Sequence, residues 1–311
     1  MDPRAGESSK STISDTQMKK ILILVGKVTE KNDKLAKLIA GFADQGTEIK
    51  LDLFSNLTID LNDGSVGVKV SGIDINNFDL VYIRSVDATL SFLAGVLALS
   101  LDHLHIKYID KKFINSRATT DKLTSLLILG LNGLPIMPTF YCGRDSVIEN
   151  TDYLIKKFGY PIVAKELKTH HSKGLFVLRN KEDFQKLEGR QFLFQKFVPL
   201  ENEYRFLVLG DSVRSVQKMF RDLSGDRSQI DMERDEEFVD VSRIPIEMKD
   251  LAVKCAKALN LQVAGVDLMI ARQDSKTFVI EVNGNPGFTY DINISPEISE
   301  LAKFLEEELK S

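Results

Sequence analysis

Short apolar runs separated by stretches of helical periodicity fill the first third of the chain. Residues 21–25, 48–54, 80–85 and 106–109 read as strands, and the periodic segments 33–43 and 89–104 fall between them as helices. Strands alternating with helices predict a small open, largely parallel α/β sheet. That domain ends near residue 115. The pattern next predicts a helix over 119–131, stopped by Gly133 and Pro135. A helix over 147–158, strands at 162–167 and 175–178 and a short helix near 181–187 complete a compact α+β module. From residue 191 the spacing becomes that of antiparallel hairpins. Segments 203–209 and 212–220 flank Gly210-Asp211, which suits a two-residue turn and places Glu203 opposite Lys218. The polar stretch 221–237 is long for a loop within a compact domain, as lids and disordered segments are. A helix over 246–259 leads to strands at 263–270 and 278–283, and a last helix opens with Ser295 as N-cap and Pro296 in its first position. The expected divisions are a disordered tail at 1–18, an N-terminal α/β domain at 19–115, a central lobe at 116–190 and a C-terminal lobe at 191–311.

Composition narrows the function classes. The balance of 41 Lys+Arg against 45 Asp+Glu gives a net charge of −4, so no basic field argues for a nucleic-acid partner. The apolar runs are too short to span a bilayer. Residues 1–17 are polar and lack an apolar core, so they read as a tail or an appended segment, not a signal peptide. Two cysteines without a paired-thiol motif fit reduced thiols in a cytoplasmic protein. His103 and His105, two apart at a helix end, point in different directions, which disfavours zinc.

The most informative stretch is Phe278-Val-Ile-Glu-Val-Asn-Gly-Asn-Pro-Gly-Phe288. On a strand, Val279, Glu281 and Asn283 would share one face. A hairpin centred on Asp274 would set Asp267 of the preceding strand opposite Glu281. Two carboxylates and an amide then converge as hard oxygen ligands for Mg²⁺, and like charges so placed need a cation between them. Lys165, mid-strand in an apolar run, either meets an anionic partner or snorkels from an edge strand. The loop Lys168-Thr-His-His-Ser-Lys-Gly174 offers amides and cations to a phosphate, although it has a single glycine. Segment 195–198 could frame an adenine or be plain core strand. Glu203 could bond ribose or pair with a lysine. Arg205, Lys218, Arg221 and Arg227 form the richest cationic set, able to hold phosphate or carboxylate, and Arg221 and Arg227 equally suit a solvated loop. Lys122 could reach phosphate or lie on the surface. Arg84 and Ser85 close a strand at its C-terminal end, where open α/β sheets bind ligands.

These segments, in this order, resemble the ATP-grasp enzymes, and most of all the RimK-like carboxylate–amine ligases. The resemblance rests on Ala264-Gly-Val-Asp-Leu268, Glu281-Val-Asn283 and Asn285-Pro-Gly287. It is supported by Gly159-Tyr-Pro-Ile-Val-Ala-Lys165, Arg117 with Asp121-Lys122, and Glu203-Tyr-Arg205 before Gly210-Asp211. It implies the ATP-grasp fold: two α+β lobes gripping ATP behind a small open parallel α/β domain. By position it implies Asp267, Glu281 and Asn283 on two Mg²⁺ ions, with Mn²⁺ as a substitute. Lys122, Lys165, His171, Ser172 and Gly174 would meet phosphates. Gln195, Lys196, Phe197, Val198, Met269 and Ile280 would frame the adenine, with Glu203 on ribose. Arg205 and Lys218 would serve catalysis, and Arg84, Ser85, Arg221, Arg227 and Asn285 the substrate. Departures include the glycine-poor loop at 168–174, Lys196 where the family often has an acid, and the Lys218–Arg227 pattern.

The resemblance implies a ligase that joins a carboxylate to an amine through an acyl phosphate, acting on an amino acid, peptide or protein. Small-molecule or peptide substrates and self-association are the expected partners. Two alternatives keep the fold: a kinase acting on a hydroxyl, and a nucleotide-binding protein without turnover.

Overall fold

The computed structural model describes residues 18–311 apart from 63–64, 85, 87–88, 115–120, 168–173, 188 and 221–234. The chain opens with β1 (Lys19–Val25), α1 (Glu30–Phe42) and β2 (Thr47–Leu53). A meander of β3 (Leu57–Asn62), β4 (Ser65–Val70) and β5 (Ile73–Asp74) precedes β6 (Leu80–Arg84), α2 (Ser91–His103) and β7 (Lys107–Ile109). Strands β2-β1-β6-β7 form the expected parallel sheet. Its central strands are apolar on both faces because both faces are covered: Ile21, Ile23 and Val25 enter one core, Leu22 and Leu24 another. The meander did not stand out in the sequence. Its strands carry exposed polar residues on one side, while Val68 and Val70 close the second core.

Helix α3 (Lys122–Leu131) starts at Asp121, whose carboxylate accepts the Thr124 N–H at 2.8 Å. Its Leu129, followed by Leu134 and Ile136, packs on the apolar face of the large sheet rather than on the module that follows. That module comprises β8 (Thr139–Tyr141), α4 (Thr151–Phe158), β9 (Ile162–Glu166), β10 (Leu175–Leu178) and β11 (Phe192–Lys196), in the sheet order β10-β9-β11-β8. The expected boundary at 190/191 therefore falls short. Phe192 and Phe194 belong to the core of Leu154, Ile162, Ala164 and Phe184, so this lobe extends through Lys196.

The large lobe is a five-stranded antiparallel sheet, order β14-β13-β12-β15-β16. It contains β12 (Leu200–Leu209), β13 (Ser212–Phe220), β14 (Asp235–Val239), α5 (Ile246–Ala258), β15 (Val263–Ala271) and β16 (Thr277–Asn283). Helix α5 covers one face through Met248, Ala252, Cys255 and Ala256 against Phe206, Val208, Val216, Val266 and Leu268. The last helix, α6 (Glu297–Lys310), returns to the first domain. There Ile298, Leu301 and Leu305 join Ile21, Ile23, Leu35 and Ile39 in a core that also takes Leu207, Leu209 and Val263 from the large sheet.

Two bulges set which residues meet. In the β12–β13 hairpin, Leu209 pairs Ser212 and Val208 pairs Val213, but Leu207 pairs Ser215. Arg214 is the extra residue, so Glu203 faces Met219 and not Lys218 as a regular hairpin would have it. In the β15–β16 hairpin the turn is tighter than expected, with Ile270 paired to Thr277 and Leu268 to Val279. Ile280 then bulges, and the register shift restores the expected Asp267–Glu281 pair. The same bulge moves Val279 off the face of Glu281 and into the apolar core beside Val282.

Candidate functional site

The face of the large sheet opposite α5 carries the polar chemistry. Strand alternation places Glu203 and Arg205 of β12 and Gly265, Asp267 and Met269 of β15 on it. Glu281 pairs with Asp267, and Asn283 with Gly265. Arg205 lies directly across from Asp267 and grips it with both prongs. Nε donates to Oδ1 and Nη2 to Oδ2, each at 2.8 Å. Such two-pronged charged bonds are among the strongest between side chains. The Asp267 carboxylate, foremost, and the nearby Glu281 and Glu203 hold the Arg205 guanidinium more firmly charged than usual, against the opposing effect of burial. A cation for Asp267 is thus supplied by the chain itself, where the sequence reading looked to a metal.

The oxygens still suit a hard cation. Glu281 and Asn283 are exposed, and the Asn283 Oδ1 accepts the Asn285 N–H at 2.9 Å. A carboxylate has about four lone-pair positions, so Asp267 can accept from Arg205 and still bind an ion. Among the described residues no three His, Cys, Asp or Glu come together as a metal cage, because the third donor here is an amide.

Lys218 is not brought to this face. It pairs with Tyr204, shares the α5 side with Val216, and sits 5.4 Å from the Phe220 ring. The bulge at Arg214 puts Gln217 opposite Arg205 instead. Gln217 is buried, and its Nε2 donates to Thr289 Oγ1 at 3.2 Å. The Thr289 N–H in turn donates to Glu297, whose carboxyl is raised by burial. Gln217, Thr289 and Glu297 escaped the sequence reading, since only the bulge turns Gln217 towards the site.

The small lobe presents the second group of expected residues. Lys165 is on an interior strand, paired with Leu175 and Leu193, so the edge-strand alternative fails. Lys165 and Gln195 share the face turned away from the lobe's own core, because Ile162, Ala164, Phe192 and Phe194 occupy the other. Gln195 is buried and donates to Thr139 Oγ1 at 2.9 Å. Lys122, at the start of α3, donates to the Glu166 carbonyl at 3.2 Å, which ties a helix packed on the large lobe to the end of β9. Lys196 is exposed, and Phe197 and Val198 lie half-buried in the short connection from β11 to β12. Met269 is buried beside Glu203, which is fully buried, and Ile280 is the bulged residue of β16. Gly174 precedes β10, and its carbonyl accepts the Glu166 N–H at 2.8 Å. Ser85, His171, Ser172, Arg221 and Arg227 lie outside the described residues. Arg84 stands at the C-terminal end of β6 as expected, but it is buried, donating to Tyr82 Oη at 3.0 Å and to the Pro286 carbonyl at 2.8 Å. Asn285 is exposed in the turn that follows β16.

A family model, the RimK-like ATP-grasp domain, matches residues 119–302. The chain belongs to this family. A relative named "Probable alpha-L-glutamate ligase" from Methanococcoides burtonii is 25% identical over 259 residues, covering 81% of this chain and 83% of the relative. Among solved structures, ATP-grasp ligase PsnB complexed with precursor peptide PsnA2 and AMPPNP superposes with a TM-score of 0.72 at 19% identity, over 96% of this chain and 99% of that one. Macrocyclase MdnC from Microcystis aeruginosa, bound with precursor peptide MdnA, gives 0.64 at 17% identity over 93% and 99%. The ATP-grasp fold expected from the sequence is therefore present. No helix among the described residues is long and apolar enough to cross a membrane.

Proposed function

We propose that this RimK-like chain is an ATP-dependent carboxylate–amine ligase that forms an amide or peptide bond on an amino-acid or peptide substrate. The observation that carries the reading is the Asp267–Glu281–Asn283 oxygen set, registered on one sheet face with the Arg205 fork on Asp267. Glu281 and Asn283, with Asp267, would hold Mg²⁺, which supplies charge neutralisation for the transferred phosphoryl group. Arg205 keeps Asp267 oriented and has further N–H groups to offer a phosphoryl or oxyanion oxygen. Lys165 from the small lobe and Lys122 from the start of α3 supply positive charge, and Gln195 with the 196–198 connection meets the base.

The substrate carboxylate attacks the γ-phosphorus, ADP leaves, and an acyl phosphate forms. The amine then adds to the acyl carbon, loses a proton, and the tetrahedral adduct expels inorganic phosphate. This route requires no Ser or Cys nucleophile. Shielding the acyl phosphate from water matters more, and closure of the small lobe over the large sheet would provide it. The peptide-bound neighbours and the glutamate-ligase relatives support amino-acid or peptide substrates. Mn²⁺ in place of Mg²⁺, a cytoplasmic setting for the two free thiols, and self-association belong to the same proposal.

Phosphate release over a panel of amino acids and short peptides, with ATP and Mg²⁺, tests the function. ADP and phosphate should appear only when a carboxylate and an amine are both supplied. Transfer of phosphate to a hydroxyl, with no free phosphate, would replace the ligase by a kinase.

A further inference from the structure

The segment joining β7 to α3 begins with Asp110-Lys-Lys112, which in sequence resembles ordinary surface charge. In the fold Asp110 and Lys112 are both buried, at 1% and 5% exposure. The Asp110 Oδ1 accepts the backbone N–H groups of Gln262 and Val263, at the start of β15. Gln262 returns the contact, its Oε1 accepting the Lys111 N–H at 3.0 Å. Lys112 Nζ donates to the Gly284 carbonyl at 2.9 Å, one residue past the end of β16, and lies 3.9 Å from Asp110. Arg84 of the same domain donates to the Pro286 carbonyl and lies 4.7 Å from the centre of the Phe288 ring.

These contacts have a common target. They hold the start of β15 and the exit of β16, the two strands that carry Asp267, Glu281 and Asn283. The close fit shows in two glycines. A Cβ on Gly265 would come within 3.1 Å of the Pro286 ring, and one on Gly284 within 2.8 Å of Lys112 Nζ and 2.6 Å of Leu261. Burying three charged groups at a domain junction is costly, and burial itself favours the neutral forms of Asp110 and Lys112. An apolar contact would join the domains at lower cost. Only directional donors and acceptors fix backbone carbonyls and amides in one place.

We propose that Lys112 and Arg84, with Asp110, are positioning residues: the first domain clamps the ends of the β15–β16 hairpin so that Asp267, Glu281 and Asn283 are preset for a divalent cation. The inference rests on the proposed metal-binding role of those three residues. Its test is the calorimetric titration of Mg²⁺ into the protein saturated with ADP, for wild type, Lys112→Met and Arg84→Lys. Metal-free ADP binding is measured alongside. The expected result is at least a tenfold weaker Mg²⁺ affinity in Lys112→Met and a smaller loss in Arg84→Lys. ADP affinity without metal should stay within about twofold, and turnover should recover at high Mg²⁺. A general loss of structure would weaken nucleotide and metal binding together. If Lys112→Met fails to fold, Arg84→Lys, which keeps the charge but not the planar fork, carries the test. Wild-type Mg²⁺ affinity in the folded variants overturns the inference. Failure of wild-type protein to bind Mg²⁺ with ADP would instead overturn the metal reading, and this inference with it.

Discussion

The large lobe and the small lobe are built on different terms. Leu207, Leu209 and Val263 of the large sheet share a core with the first domain and α6, and Asp267 is already gripped by Arg205. The small lobe has a core of its own, centred on Phe184, Phe192 and Phe194, and β11 joins it to β12 through a short connection. Under the proposed function, the strands that would hold the metal share their core with the first domain, whereas the lobe that would meet the nucleotide has a separate core and a short connection on which it could move. That division suits a reaction needing a fixed electrostatic centre and a cover that opens.

The largest effect that would break this picture is on Glu281. Glu281→Ala should lower turnover by roughly a thousandfold, read as ADP formed per enzyme, because it removes a charge from the fixed centre. Full turnover would dismiss the metal assignment. Next comes Arg205→Met, which leaves the buried Asp267 without its half-buried partner. A loss of about 3 kcal/mol in denaturant unfolding is expected, the lower end for a broken buried pair because Arg205 is partly exposed. Comparable destabilisations sharpen the contrast between lobes. Phe194→Ala, at about 3–5 kcal/mol, should speed hydrogen exchange mainly in residues 139–196. Leu209→Ala should speed it in both the first domain and the large sheet, since they share that core. Uniform exchange in both variants would erase the distinction.

Lys218→Ala should change turnover by less than about threefold, because its side chain lies on the α5 face. The smallest difference is chemical. Burial pushes the Cys255 thiol up to about 12, and Cys142 on the small lobe is half-buried. Burial raises the Cys142 thiol as well, but Cys142 is partly exposed and Cys255 fully buried, so Cys142 should be labelled first. Cys255 should react only as the large lobe opens.

How much of this was legible in the sequence depended on where periodicity held. The parallel first sheet and the order of strands and helices could be read from apolar spacing and turn chemistry, whereas the expected Asp267–Glu281 pairing is met only because the bulge at Ile280 offsets a turn tighter than expected. Single-residue bulges could not. Arg214 and Ile280 carry no marking glycine or proline, yet one exchanges Lys218 for Gln217 on the site face and the other removes Val279 from it. Burial of polar groups was equally hidden. Arg84 looked like a substrate contact and Lys112 did not stand out at all, because their partners are backbone carbonyls about 170–200 residues away. Arg205 was recognised, but its partner was not, since cross-strand neighbours on β12 and β15 depend on sheet order rather than on any local spacing.

Under the proposed function a carboxylate is activated as its acyl phosphate on the Asp267–Glu281–Asn283 face. With a substrate found in the phosphate-release panel, ¹⁸O placed in its carboxylate gives the most direct test. One labelled oxygen should appear in the released inorganic phosphate; phosphate free of label would contradict the account.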